Sequence, residues 1–391
     1  MSFPIIIVGA GQAGAQAVQT LRHGGYRGAL ALVGAEPHLP YQRPPLSKKF
    51  LSGETDEERL LLRPASLYAE LEVELHIGVA ATQLDCEHHR LRLENGSVLN
   101  YNKLLIATGM RARPLSIPGI DLPGVVTLRS MLDAARMRRD LKPGNRVVII
   151  GGGYIGLEVA AITRSLGMHV TVLEAAERVL GRVVAPDVAR YFADLHRDHG
   201  VELRVGSNVV AVEGEERAEA VVLSDGTRVP ADFILLSIGA IPETTLAEIA
   251  EIEVRDGIIV DTEAKTSARD VFAAGDCARF HSDRFSRSIR LESVQNAIEQ
   301  AKTAALAMLG QPVHYDPVPW FWSDQYDTKL QIVGLSQGYD SIEIDGTPET
   351  GAFSVAYIGE GRLLAVDSIN HARRHMQARK QVGEVWTGWP N

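Results

Sequence analysis

One pattern occurs twice in this chain, 142 residues apart from Gly9 to Gly151, and it restricts the fold more than any other feature. It consists of a short apolar strand, a turn of the form G-x-G-x-x-G, a helix of small residues and a second apolar strand. The first copy runs from Ile5 to Val8, through Gly9, Gly11 and Gly14, along a helix to about His23, and into Ala29 to Val33. The second runs from Arg146 to Ile150, through Gly151, Gly153 and Gly156, along a helix to about Leu166, and into Val170 to Leu173. Strands alternating with helices at this spacing imply right-handed crossovers and a parallel sheet. In each turn the first glycine permits the tight bend, the second lets backbone approach a pyrophosphate, and the third lets helix and strand pack closely. The free N–H groups at the helix start favour the phosphates. One such turn is a weak signal, because glycine-rich turns also serve tight packing. Two complete copies predict an α/β fold with two Rossmann-like dinucleotide-binding domains.

The remaining chain supports two to three domains, the expectation for 391 residues at roughly 150 per domain. Turn chemistry at Arg113-Pro114 and Ile117-Pro118-Gly119 places a linker near residues 110 to 120, and Gly239 to Pro242 marks a second crossing. Glu202 to Glu213, Ala220 to Leu223 and Asp232 to Ser237 read as strands. All four tryptophans, Trp320, Trp322, Trp386 and Trp389, lie after residue 316, where alternation such as Phe353 to Tyr357 predicts antiparallel strands in a C-terminal α+β interface domain. The expected division is 1–112 and 241–315 for an FAD-binding domain in two parts, 113–240 for an NADH-binding domain, and 316–391 for the interface domain.

Composition narrows the function. Hydrophobic residues at 45% and charged residues at 23% describe a folded globular chain. A net charge of −9 argues against nucleic acid or anionic membrane as a partner. No apolar run approaches 18 residues and no basic segment precedes Ile5, so a cytoplasmic protein is expected. Cys86 and Cys277 are the only cysteines, which excludes a disulfide framework, a cysteine-rich metal site and a C-x-x-C redox pair. Redox chemistry must come from a bound cofactor, and no metal ligand set is expected.

Two dinucleotide folds suggest two dinucleotides, and the pairing that makes chemistry is a nicotinamide facing a flavin: NADH and FAD. Glu174 ends the second strand of the second copy, 18 residues after Gly156. A carboxylate there accepts hydrogen bonds from a ribose 2′-OH and repels a 2′-phosphate, favouring NADH over NADPH. A solvated strand-end charge is the competing reading, and nearby Arg178 leaves room for NADPH. In the first copy the corresponding strand end reads as Ala35-Glu36, making Glu36 the ribose partner.

The segments Ile5 to Gly14, Leu104 to Gly109, Gly151 to Glu158 and Asp270 to Asp276, in this order and spacing, resemble the two-dinucleotide-binding-domain flavoprotein reductases across nearly the whole chain. Arg43-Pro44-Pro45-Leu46-Ser47-Lys48 and Trp320 to Gln325 are similar to the NADH:ferredoxin reductases of bacterial cytochrome P450 and ring-hydroxylating dioxygenase systems, the putidaredoxin reductase type. The resemblance implies that the FAD pyrophosphate lies on Gly9 to Gly14, its adenosine end near Glu36 and Arg43, and its ribityl chain on Asp276. Thr108, Arg129 and the backbone at Val294-Gln295 complete that site by the same analogy. Two positions depart from the family: Ala35 stands where an acidic residue is frequent, and Cys277 where an aliphatic one is.

The resemblance also brings Lys48 and Glu158 together beside the flavin, as modulators of its electron affinity rather than nucleophiles. Ordinary exposed charges are the competing reading. Trp320 and Trp322 are expected on opposite faces of a strand, with Trp322 covering the flavin and Trp320 either near the nicotinamide or in aromatic core packing. The loop at Pro45-Leu46-Ser47 holds no thiol, whereas the disulfide and peroxide reductases of the superfamily need one there. Electrons must therefore leave singly for a metal protein or pass to a small acceptor. The cluster His371 to His375 with Arg379-Lys380 is basic in an acidic chain, so an acidic [2Fe-2S] ferredoxin docking near Arg373, Arg374, Arg379 and Lys380 is one reading and a solvated helix face the other. The implied activity is hydride transfer from NADH to FAD, then single-electron transfer to a ferredoxin that feeds an oxygenase. The alternatives are an NADH-dependent reductase of a small organic acceptor, in the manner of monodehydroascorbate reductase, and a redox-sensing interaction flavoprotein.

Overall fold

The computed structural model describes residues 4–390. The chain divides into two compact units, and each is assembled from three separated segments. The first takes the chain up to Gln42, Glu58–Arg111 and Ile241–Pro319; the second takes Arg43–Glu57, Ala112–Ala240 and the chain from Trp320 onward.

In the first unit Ile5–Val8 is the central strand of a five-stranded parallel sheet ordered Val271–Ala273, Lys103–Ile106, Ile5–Val8, Leu30–Gly34, Val73–Ile77. The strand Ile-Ile-Ile-Val is buried along its whole length, as a parallel strand covered on both faces must be. Helix Gln12–His23 crosses back over it, and its small buried face of Ala13, Gly14, Ala17 and Val18 allows helix Val294–Met308 to pack close with Ala297, Ala301, Ala304 and Ala305. A three-stranded antiparallel sheet, Ala81–Asp85, Arg90–Leu93 and Val98–Asn100, forms a satellite.

The second unit repeats the plan. Its parallel sheet runs Glu202–Arg204, His169–Leu173, Arg146–Ile150, Phe233–Leu236, Val125–Val126, with helix Tyr154–Ser165 following the central strand. The stretch from Glu202 to Glu213 expected as one strand is two, because Gly206 at φ +64° turns the chain between Glu202–Arg204 and Val209–Glu213. The C-terminal segment is a five-stranded antiparallel sheet ordered Trp320–Gln325, Thr328–Gly334, Arg362–Ile369, Ala352–Gly359, Ser341–Thr347, closed by helix Ala372–Ala378. The inserted segment Arg43–Glu57 belongs to this unit through buried Leu46, Phe50 and Leu51, with the Arg138 guanidinium 5.2 Å from the centre of the Phe50 ring. Among the described residues no helix is long and apolar enough to cross a membrane.

Candidate dinucleotide and redox sites

The glycines of the two turns divide by what a side chain would meet. A Cβ on Gly9 would lie 2.1 Å from the Ala107 carbonyl oxygen, and on Gly14 2.0 Å from that of Gly9. In the second copy Gly151 meets Ser237 O at 2.2 Å and Gly156 meets Gly151 O at 2.2 Å. These four positions are glycine because backbone passes too close for anything else, and Gly9 and Gly151 also sit at φ +121° and +110°. Gly11 and Gly153 differ: among the described residues, a Cβ on either would meet nothing within 4 Å. Internal packing does not require glycine there, so the open space in front of each fits an approaching phosphate. Both residues are also helix N-caps without a side-chain hydrogen bond, whereas Ser130 and Ser293 cap their own helices with their hydroxyls. The bare N–H groups suit a dinucleotide pyrophosphate at each turn.

Around the first turn the structure gathers several of the expected residues. Thr108 follows Ala107 beneath Gly9, its amide nitrogen 3.0 Å from where a Gly9 Cβ would be, and its hydroxyl donates to Glu243 O at 2.6 Å. Gly275, at φ +85°, approaches the side chain of Ala13 at the start of the first helix and donates its N–H to Gln300 Oε1 at 2.9 Å. That contact sets half-buried Asp276 beside the turn. Val294 opens the helix packed on the same element. Glu36 accepts from the Tyr41 hydroxyl at 2.5 Å. The strand before it ends at Gly34, so Glu36 lies two residues beyond the strand end rather than on it.

In the second unit Glu174 lies over its turn. Its Oε2 accepts from Gly152 N at 2.7 Å and its Oε1 from Ala176 N at 2.8 Å. Arg178 donates to Gly181 O at 3.2 Å. Arg43 donates to Arg129 O at 2.6 Å, joining the two arginines expected at the flavin.

Lys48 and Glu158 meet, with Nζ to Oε2 at 2.6 Å. Glu158 is 4% exposed on a helix otherwise lined by Val159, Ala160 and Ala161. Its carboxylate also accepts from the Ser47 hydroxyl at 2.5 Å and the Ser323 hydroxyl at 2.6 Å. A buried carboxylate needs such partners, and the gross attraction of an ion pair near 4 Å at an effective dielectric of 20 is about 4 kcal/mol before desolvation. Neither serine is evident as a partner from sequence spacing. Both stand inside the two motifs that carry the family resemblance, which is the signal that could have found them.

Trp320 and Trp322 do not point to opposite faces. Residues two apart on a strand share a face, and the rings lie 5.7 Å apart. The opposite face of the strand carries Phe321, packed 4.9 Å from Tyr154, together with buried Ser323 and Gln325. The Arg379 guanidinium lies 5.2 Å from the Trp320 ring centre. Within the basic cluster Arg374 is engaged internally: it donates to Asp345 at 2.6 Å, to Gln377 at 3.1 Å and to Pro390 O, and covers Trp389. Arg373, Arg379 and Lys380 are exposed. His375, buried in the same helix, is pushed down to about 4 by burial, then by Arg379, and so adds no charge near neutrality.

Two further buried groups escaped the sequence reading. Burial pushes the Asp367 carboxyl up to about 7, against the opposing effect of the Tyr357 hydroxyl, which donates to it at 2.5 Å and accepts from Ala185 N at 2.6 Å. Tyr154, which follows Gly153, has a buried hydroxyl without a hydrogen-bond partner among the described residues, and burial holds it un-ionised.

This pairing of turns places the chain in a class, and sequence comparison agrees: it belongs to the pyridine nucleotide-disulphide oxidoreductase family, whose model matches residues 3–301, with a reductase C-terminal domain matching residues 320–385. It is 43% identical over 384 residues to the 5,5′-dehydrodivanillate O-demethylase ferredoxin reductase subunit of Sphingobium, covering 97% of this chain and 93% of that one. It is 41% identical to putidaredoxin reductase of Pseudomonas putida, covering 99% of this chain and 93% of the relative. The reductase in the crystal structure of the covalent putidaredoxin reductase–putidaredoxin complex superposes with a TM-score of 0.94 at 41% identity, covering 97% of this chain and 92% of that chain.

Proposed function

We infer that this chain is a flavoprotein oxidoreductase that takes electrons from a reduced nicotinamide dinucleotide and delivers them through FAD to a ferredoxin. The observation that carries this reading is the pair of uncapped glycine turns, each with its second glycine facing open space, in a chain without a redox thiol in the loop at Pro45 to Ser47. FAD supplies the change from a two-electron donor to a one-electron acceptor. The chain's own residues bind, orient and tune.

Gly9, Gly11 and Gly14 hold the FAD pyrophosphate, Asp276 its ribityl hydroxyls, and Glu36 and Arg43 its adenosine end, with Thr108, Arg129 and Val294 completing the set. Gly151, Gly153 and Gly156 hold the nicotinamide dinucleotide, and Glu174 selects NADH. The carboxylate is already fixed by two backbone N–H groups, so a 2′-phosphate would meet an oriented negative charge. Lys48 presents a cation to the flavin, Glu158 fixes that cation, and Trp322 covers the ring. Segments 1–112 with 241–315, 113–240 and 316–391 serve as the FAD, NADH and interface domains.

The partner is an acidic [2Fe-2S] ferredoxin that feeds an oxygenase, and Arg373, Arg379 and Lys380 attract it. Arg374 contributes by holding the chain end rather than by free charge. Anaerobic mixing with NADH should bleach a yellow protein, and addition of such a ferredoxin should restore the colour. Reoxidation by small organic acceptors but by no ferredoxin would overturn the partner class.

A further inference from the structure

Side chains from four segments of the second unit form one continuous hydrogen-bond chain that begins at Glu158 and runs away from Lys48. Ser47 and Lys48 occupy Oε2 of Glu158, and Ser323 occupies Oε1 at 2.6 Å. Gln325 Nε2 then lies 3.3 Å from Ser323 Oγ, His196 Nε2 lies 2.9 Å from Gln325 Oε1, and the Tyr326 hydroxyl lies 3.4 Å from His196 Nδ1. Ser323, Gln325 and His196 are fully buried.

The direction of every proton in this chain follows from its charged end. An ionised carboxylate only accepts, so the single proton of Ser323 points at Glu158. The Ser323 oxygen must then accept, which turns the Gln325 amide nitrogen toward it and the Gln325 oxygen toward His196. That oxygen needs a donor, so the His196 proton sits on Nε2, and Nδ1 accepts from Tyr326. Burial pushes His196 down to about 4, against the opposing effect of Gln325 and with a further lowering by His199, consistent with a neutral ring carrying one proton. All donors therefore point the same way. Dipoles aligned in series polarise one another, and their positive ends converge on Glu158.

We propose that Ser323, Gln325 and His196 are positioning residues for the Lys48–Glu158 pair, a one-way donor chain that fixes the Glu158 carboxylate so that Lys48 keeps its place. The proposal rests on the reading that Lys48 acts on the bound flavin. Ordinary satisfaction of buried polar groups would require each bond but would not make one end report on the other.

The test uses flavin-loaded protein with 15N-labelled histidine. In the parent protein His196 should appear as a single Nε2–H tautomer. Glu158→Gln removes the charge that orders the chain, and Ser323→Ala cuts it; both should move the His196 nitrogen resonances toward a tautomer mixture, while Ser323→Thr, which keeps the hydroxyl, should restore them. Flavin reduction by NADH should slow about 3- to 10-fold in Ser323→Ala and Gln325→Met, with KM for NADH within about 2-fold and a shifted flavin absorption band. Unmoved His196 resonances in both Glu158→Gln and Ser323→Ala overturn the proposal. So does a normal flavin band and rate in Ser323→Ala and Gln325→Met when Lys48→Met alters both, and that outcome leaves the role of Lys48 intact. If Lys48→Met changes neither, the flavin assignment of Lys48 fails and the proposal falls with it.

Discussion

The two glycine turns are alike in glycine spacing and differ in how the turn and the neighbouring strand end share a side chain. Val8 pairs with Val33 in the first copy and Ile150 with Leu173 in the second, so the residue after the last paired one is Gly34 in one and Glu174 in the other. A Cβ on Gly34 would strike the Ala10 side chain at 2.5 Å. In the second copy the position of Ala10 is Gly152, whose empty side gives the Glu174 carboxylate room to reach its N–H. Either the turn or the strand end carries the side chain, and the other is glycine. The first copy thereby keeps its carboxylate, Glu36, two residues farther along and tied to Tyr41, and the second sets it over the turn. On the proposed assignment, one design of phosphate cradle is given two different ribose readers.

Buried arginine, histidine and carboxyl side chains differ as sharply. Among the described residues the first unit buries Arg22, which donates to the carbonyl oxygens of Tyr26, Gly28, Leu71 and Glu72 and so ties loops together. The second buries Glu158, His196, Asp367 and His375. Both units carry a glycine turn, and the second in addition encloses buried acids and imidazoles.

The largest effect that sharpens this comparison is expected at the first glycines. Gly9→Ala and Gly151→Ala each place a methyl about 2 Å from a carbonyl oxygen at positive φ, and either should cost on the order of 3 kcal/mol or more, read as loss of soluble protein or a much lower Tm. A normal melting temperature in both would show that the close approach is not real.

Next comes the exchange at the strand ends. Glu174→Ala should narrow the ratio of kcat/KM for NADH over NADPH by about 10- to 100-fold, the worth of a hydrogen bond to a charged group. Glu36→Gln should leave that ratio alone and weaken FAD retention. If Glu36→Gln changes nucleotide choice, the assignment of readers is reversed.

A smaller effect separates the buried acids. The Asp367 carboxyl, near 7 in the fold and 3.8 when unfolded, contributes stability that is complete below the unfolded value and lost as pH rises through about 7. Stability of the parent protein relative to Asp367→Asn should therefore fall between about pH 4 and pH 8 in denaturant titrations, and a difference independent of pH would contradict it. Smallest of all, Arg379→Glu or Lys380→Glu should raise KM for the ferredoxin about 2- to 5-fold, with the effect fading at high salt, while NADH reduction of the flavin is unchanged.

Much of this was legible in the sequence because it is local. The strands, both turns and the helices behind them follow from periodicity and glycine spacing within some thirty residues. Antiparallel structure after residue 316 was readable from alternation. What was not legible depends on approach between distant segments. Ser323 meets Glu158 across 165 positions and His196 meets Gln325 across 129, and no pattern in the chain announces either contact. Arg374 looked free because Asp345, which captures it, lies 29 residues away on a strand outside the helix that carries the arginine. The tryptophans are a different case: strand periodicity was sufficient to put both on one face, and the expectation misapplied it.

The central claim is that two turns of one design serve two ligands, and the second glycines test it most directly because their substitution disturbs no packing. Gly11→Ala and Gly153→Ala should both purify as folded protein, the first colourless after flavin reconstitution, the second yellow but bleached by NADH only at much higher concentration. Flavin retained at parental levels in Gly11→Ala, together with an unaltered NADH titration in Gly153→Ala, would contradict it.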